Sequence, residues 1–245
     1  MEWKKSPATL RLAAGGVHVW RASLSLDVDE LAHAWELLAP AERRRAERMP
    51  FPLHRARFVA GRAALRILLG RYLEIAPGEV PLIAEPGGRP AVDPTVAVPL
   101  RFSVAHSDRL ALFAFADRPV GVDVERLRRE VAFERLAERF FAPAEAAALA
   151  ALPQSVVPAA FFACWTRKEA VFKAWGGASG LVPALKRFAV SVSPREQRLA
   201  ITFFDDEPRR TPWSLAALHP APGYAAALAV AGPASPTCFV FDWSG

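Results

Sequence analysis

Apolar residues recur at helical intervals between residues 53 and 73, where Phe58, Leu65, Leu68, Leu69 and Tyr72 share a face and arginines occupy the others. This pattern predicts an amphipathic helix. Upstream, "VHVWRASLSL" alternates as a strand does, and Asp27 or Asp29 is placed to cap a helix running through Leu38. Residues 77 to 99 hold six prolines and the turn "EPGGRP", so they read as a loop with short extended pieces. Next come "LRFSVAHS", "LALFAFA" and "VGVDVERL", three strand-like runs broken by "DR" and "DRP". They predict a small antiparallel meander.

The second half repeats that order. "FERLAERFFAPAEAAALAAL" reads as helical and leads to a stronger helix, "PAAFFACWTRKEAVFKAWGG", whose terminal glycines suit a C-terminal cap. "FAVSV", "RLAITFF", "WSLAALH", "YAAALAVA" and "TCFVFDW" read as successive strands. The expected fold class is α+β, divided near residue 118 into an N-terminal unit, 1–118, and a C-terminal unit, 119–245.

At 245 residues, 52% of them hydrophobic, the chain can bury a sizeable core. No apolar run of about eighteen residues is free of charge or proline, so no membrane span is expected, and the N-terminus lacks the pattern of a secretory signal. Cys164 and Cys238 lie in the apolar contexts "FFACW" and "PTCFVF", without a second Cys or His at metal-ligand spacing. Reduced thiols in a cytoplasmic protein are the expectation. The net charge of +6 and a pI near 9.9 favour an anionic partner: nucleic acid, a phosphate-rich small molecule or an acidic protein. That charge is concentrated, with nine arginines between Arg43 and Arg71 against one acid, Glu47.

Candidate chemistry begins in "VGVDVERL". Successive strand side chains point to opposite faces, so Asp123 and Glu125 emerge together. Like charges held in one space repel, burial adds to the cost, and a divalent cation offsets both. Oxygen-only ligands point to a hard ion such as Mg²⁺. An exposed sheet face, with Arg126 or Arg128 as partners, is the alternative. In "WTRKEAVFKAWG", Lys168, Glu169 and Lys173 interrupt an apolar helix, and Trp165, Glu169 and Lys173 follow one another at i, i+4 spacing. A surface pair of Glu169 with Lys173, contributing about 0.3 kcal/mol, would explain that spacing alone. His106 ends a strand in "RFSVAHSD", a place for a structural or a catalytic histidine. The five histidines are scattered, and neither C-x-x-C, G-x-S-x-G nor a phosphate-binding P-loop occurs.

Together "GVDVERL" and "WTRKEAVFKAWG" resemble the paired signature of the 4′-phosphopantetheinyl transferases, with weaker agreement in "RARFVAGRAALR", "GGRP" and "FSVAHS". The length resembles the two-lobed monomeric class. The resemblance implies two similar α+β lobes packed as a pseudo-dimer, with coenzyme A between them. It implies transfer of phosphopantetheine from coenzyme A to a serine of an apo acyl or peptidyl carrier protein, releasing adenosine 3′,5′-bisphosphate. Asp123, Glu125 and Glu169 would then hold Mg²⁺ at the pyrophosphate. Glu169 would accept the serine proton, directly or through water, with Glu125 as the competing base. Lys168 and Lys173 match positions that approach the pyrophosphate, where Lys173 would help stabilise the transition state. His106, Arg57 and Arg89 match positions that hold the nucleotide phosphates, and Arg43 a basic position near the 3′-phosphate. Ala105 departs from the serine often found before that histidine, so one hydroxyl contact to coenzyme A would be missing.

A nucleic-acid-binding module using the arginine-rich helix is the reading from another class. It accounts for the charge and leaves the acids unexplained. The net positive charge would steer an acidic carrier toward the protein. Phe140 and Phe141 are either core or part of a docking surface for it.

Overall fold

The structure is a computed structural model and describes residues 2–7, 9–85, 88–96, 98–176, 181–196, 199–204, 211–232 and 237–243. Gly87 of "GGRP", Gly177 of the expected glycine cap and Arg198 of "RLAITFF" lie outside the described residues. The elements are β1 (Lys4–Lys5), β2 (Val17–Ser23), α1 (Val28–Glu36), α2 (Pro40–Glu47), α3 (Pro52–Leu73), β3 (Leu82–Ala84), β4 (Pro90–Val92), β5 (Arg101–Ser107), β6 (Leu110–Ala116) and β7 (Val120–Arg126). They continue as α4 (Phe133–Phe140), α5 (Pro143–Ala150), α6 (Val157–Trp175), α7 (Leu181–Leu185), β8 (Phe188–Val190), β9 (Ile201–Phe203), β10 (Trp213–Leu218), β11 (Tyr224–Ala231) and β12 (Cys238–Trp243). This is an α+β chain. None of the described helices is long and apolar enough to cross a membrane.

Local signals explain where the helices begin and end. Asp27 Oδ1 accepts the Glu30 N–H and Glu30 Oε2 accepts the Asp27 N–H, both at 2.8 Å, a reciprocal cap that starts α1. Prolines open α2 and α3, where the missing N–H would have had no intrahelical partner. α6 stops at Gly176, whose φ of +73° lets its N–H close on Phe172 O at 3.1 Å.

Above those local pieces the order of connections repeats. In the first unit β2 pairs antiparallel with β6, which pairs antiparallel with β5; in the second, β7 pairs with β11 and β11 with β10 in the same sense. A short hairpin, β3–β4 or β8–β9, falls between the long helix and the last two strands each time. The expected meander is therefore corrected: β7 does not extend β5–β6. The other edge of β6 is already taken by β2, which leaves β7 to open a second sheet. The last strand crosses back, since β12 lies between β1 and β2 and runs parallel to both.

The sheets stack with a helix on each outer side. Trp20, Phe113 and Phe115 face Ala60, Ala64 and Leu68 of α3. Val17, Val19, Leu112 and Ala114 meet Val122, Val124 and Leu228 between the two sheets. Ala227 and Ala229 of β11 meet Ala170, Val171 and Ala174 of α6 on the far side. Strand alternation thus sends Val122 and Val124 into the inter-sheet core and turns Gly121, Asp123 and Glu125 toward α6.

That approach is very close. A Cβ on Gly121 would stand 2.0 Å from Ala170 O and 2.5 Å from the Ala174 N, both backbone atoms of α6. Neither can swing aside. Gly121→Ala is expected to push α6 off β7 and lower stability by about 3 kcal/mol or more. Urea unfolding measures this, and a variant within about 0.5 kcal/mol of the parent would show that the approach is not constrained.

Candidate active site

α6 lays Glu169 and Lys173 along one half-buried edge, as their i, i+4 spacing requires, beside the acidic row of β7. Lys173 Nζ donates to Asp123 Oδ1 at 2.7 Å and to Val122 O at 3.3 Å. Asp123 is only 6% exposed, and its second oxygen, Oδ2, is buried without a hydrogen-bond partner. Burial raises the Asp123 pKa to about 7; the Lys173 ammonium opposes this, and the Glu169 and Glu125 charges add to it. Burial also raises the pKa of Glu169, with Lys173 acting against the rise and Glu125 reinforcing it. Asp123, Glu125, Glu169 and Lys173 therefore share one electrostatic neighbourhood. It holds three carboxyl groups and one ammonium.

The first unit adds groups at the rim. His106 points to the surface from β5, yet packing around its ring lowers its pKa, and Lys173 and Arg57 lower it further against the opposing charge of Glu125. Arg57 Nη2 donates to Asp108 Oδ1 at 2.5 Å, and Arg126 Nη1 donates to Asp108 Oδ2 at 2.7 Å. Asp108 ties α3 to the end of β7 in this way. Arg89 Nη1 donates to Lys173 O at 2.8 Å, so the loop before β4 holds the last turn of α6. Beside that contact opens a cavity of about 880 Å³, lined by Arg89 and Lys173 and by Val92, Phe102, Val120 and Ala174.

Other expected site residues are placed elsewhere. Lys168 is wholly buried: its Nζ donates to Glu145 Oε2 at 2.7 Å, Glu145 Oε1 at 2.9 Å and Phe188 O at 2.7 Å. With three acceptors and no exposure it cannot reach a pyrophosphate, and its expected role is corrected to a structural one. Arg43 does not join the cluster; it binds Leu38 O at 3.1 Å and Glu36 O at 2.8 Å, fastening α1 to α2. Phe141 is 1% exposed and stacks on Phe161, so it belongs to the core, while Phe140 sits half-buried with its edge against Trp165. Ala105 faces the inter-sheet core, opposite to His106. A hydroxyl there would not reach a ligand on the His106 side.

Several arginines of the basic stretch are also committed. Arg66, 2% exposed, donates to Glu42 Oε2 at 2.6 Å and to three loop carbonyls. Arg62 pairs with Glu42 Oε1 at 3.5 Å. The stretch is therefore a structural network as much as an open basic face. Three contributors, Gly121, Ser107 and Asp108, escaped the sequence reading. The alternation of Ser103, Ala105 and Ser107 along β5 was the one local signal that this row faces β7.

Among the described residues, no group of three or more His, Cys, Asp or Glu side chains is gathered in a form that could hold a metal ion. The chemistry of the donors nevertheless suits a hard divalent cation. They are oxygens only, mutually repelling, and one of them is buried and orphaned.

A family model described as the 4′-phosphopantetheinyl transferase superfamily matches residues 119–229. The chain is 38% identical over 232 residues to the 4′-phosphopantetheinyl transferase HetI of Nostoc sp., covering 94% of each chain. It is 24% identical to the 4′-phosphopantetheinyl transferase Sfp of Bacillus subtilis, covering 86% of this chain and 90% of that one. It is 35% identical to the 4′-phosphopantetheinyl transferase AcpT of Escherichia coli over 58% of this chain and 67% of the relative.

Two outcomes follow from the burial of these charges. The folded chain raises the Asp123 pKa above its ordinary 3.8, so the protonated form contributes stability that is whole below that value and is lost as pH rises through about 7. Metal-free protein should lose unfolding free energy between about pH 4 and 7, and Asp123→Asn should flatten that decline; an unchanged slope in the variant would remove Asp123 as its source. Lys168→Ala should cost about 3–5 kcal/mol by leaving Glu145 buried and unpaired. A Lys168→Ala protein of parental stability but weakened coenzyme A binding would return Lys168 to the site.

Proposed function

The chain belongs to the 4′-phosphopantetheinyl transferase superfamily, and on that premise we propose that it moves 4′-phosphopantetheine from coenzyme A to a serine of an apo acyl or peptidyl carrier protein. The products are the holo carrier and adenosine 3′,5′-bisphosphate. The observation that carries this reading is identity of 38% across 94% of the chain to a transferase, combined with the meeting of the two acidic motifs at α6 and β7. The commitments of Arg62 and Arg66 to Glu42 favour a small anionic substrate over nucleic acid.

Asp123, Glu125 and Glu169 are the residues we assign to Mg²⁺, in keeping with the buried Asp123 Oδ2, which has no hydrogen-bond partner among the described residues. When bound, the ion supplies charge stabilisation at the pyrophosphate. Lys173 complements the negative charge that builds on the leaving phosphate, from a position already fixed by Asp123 and Val122. Arg57, Arg89 and His106 hold the nucleotide phosphates at the rim. The cavity of about 880 Å³, apolar along Val92, Phe102 and Val120 and cationic at Arg89 and Lys173, has the size and lining for the pantetheine arm.

Glu169 is the base in this reading. Its pKa is raised by burial, and its carboxylate has no hydrogen-bond partner among the described residues. Glu125 is already engaged by Ser107 and Arg128. The serine proton passes to Glu169 as the serine oxygen bonds to phosphorus, and the bond to adenosine bisphosphate breaks. We place the reaction in the cytoplasm, carried out by a single chain with a basic first lobe, 1–118, and a second, 119–245, that carries the metal-binding and catalytic motifs.

Incubation with coenzyme A, Mg²⁺ and an apo carrier should add one phosphopantetheine mass to the carrier, read by intact-protein mass spectrometry. Asp123→Ala should reduce turnover by roughly 10³-fold, the rate equivalent of about 4 kcal/mol. No mass added to any of several carriers would overturn the reaction, and near-parental turnover in the variant would overturn the role of Asp123.

A further inference from the structure

β7 is an edge strand. It pairs only with β11 among the described strands, and its outer N–H groups face β5 without a ladder partner. Two serines of β5 take their place: Ser103 Oγ accepts the Val122 N–H at 3.1 Å, and Ser107 Oγ accepts the Arg126 N–H at 3.0 Å. Both serines are buried, at 2% and 8% exposure. Side chains thus join the sheets where a backbone ladder would otherwise run.

Ser107 has a second contact that Ser103 lacks. Its Oγ lies 2.7 Å from Glu125 Oε2. A hydroxyl that accepts from an N–H still has one proton to place, and here the carboxylate receives it. Arg128 Nη2 also approaches Oε2, at 3.5 Å. Among the described residues, both polar contacts of this carboxylate therefore fall on one oxygen and leave Oε1 to a ligand. The serine is itself anchored, because the next residue, Asp108, holds Arg57 and Arg126 from a left-handed backbone with φ +53°.

We propose that Ser107 is a positioning residue, which from the first lobe fixes the Glu125 carboxylate so that its free oxygen serves a divalent cation shared with Asp123 and Glu169. This rests on the cation reading of the site given above. Hydrogen-bond partners of carboxylate ligands orient them, and losing one typically weakens metal binding 10-fold to 100-fold. Hydroxyl donation from β5 makes the metal site a joint product of both lobes, although its ligands all come from the second.

The test is a binding measurement. Free Mn²⁺ is followed by electron paramagnetic resonance during titration of the protein with saturating coenzyme A, without carrier, and corrected for Mn²⁺ bound by coenzyme A alone. Ser107→Ala should raise the Mn²⁺ dissociation constant about tenfold. Ser107→Thr, which keeps the hydroxyl, should stay within about threefold of the parent, a rescue that a packing role does not predict. Ser107→Cys, similar in size but a weak donor, serves if the alanine variant does not fold and should also weaken binding. Affinity within twofold of the parent in folded Ser107→Ala or Ser107→Cys would overturn the role of Ser107 while leaving the cation site standing. A parent protein that binds coenzyme A but no Mn²⁺ would overturn the cation site and this proposal with it.

Discussion

The site depends on the contact of α6 with β7 at Gly121. Helices usually rest on sheets through layers of side chains, but here a Cβ would lie 2.0 Å from a helix carbonyl, so backbone meets backbone. Because strand side chains alternate, the residues that follow Gly121 on that face are Asp123 and Glu125. The same closeness puts the Glu169–Lys173 edge of α6 within reach of them. A wider separation would leave four charged groups on two surfaces. The present one makes them a single electrostatic unit.

Two buried ionic groups in the second half of the chain differ in how completely they are satisfied. Glu145 and Lys168 form a closed set: the ammonium meets both carboxylate oxygens and Phe188 O, and those oxygens also accept the Ala142 and Val190 N–H groups. Such a network fixes α5, α6 and β8 to one another and has no capacity left for a ligand. Asp123 has one ammonium, one orphaned oxygen and two further acids nearby. Its charges are compensated only in part. Lys168 and Glu169 are adjacent in sequence, yet the helix turns the first into the closed set and the second toward the open one.

Much of this was legible where the cause is local. Asp27 with Glu30, the prolines of α2 and α3, and the glycine after Trp175 fix helix ends through groups within a few residues. Period-two geometry was enough to put Asp123 and Glu125 on one face. The misreadings share a different cause. β7 left the expected meander because β2, about a hundred residues upstream, had taken the edge of β6; no property of "VGVDVERL" reveals that competition. Lys168 was read by its neighbours in sequence, whereas its burial depends on Glu145 and Phe188, which come from separate elements. A hydroxyl at position 105 was expected to touch coenzyme A, although strand alternation alone turns that position away from His106. Gly121 and Ser107 gain their meaning from backbones that only the fold brings near.

The repeated connectivity allows one strand to be compared with its counterpart. β2 and β7 each open a unit, pair with the last strand of its hairpin, and turn one face to the long helix of that unit. In β2 that face carries His18, Trp20 and Ala22, and the two rings share the Tyr72 hydroxyl of α3, with distances of 2.7 and 2.9 Å. The polar atoms are satisfied and the aromatic surface fills the space, so helix and sheet stay apart by the width of side chains. In β7 the equivalent face begins with glycine and continues with acids. The frame is the same, and what differs is whether the helix is held off by rings or admitted to the backbone. One arrangement ends in a core. The other leaves charge that the protein alone does not neutralise, at an edge where Ser107 of β5 donates to Glu125.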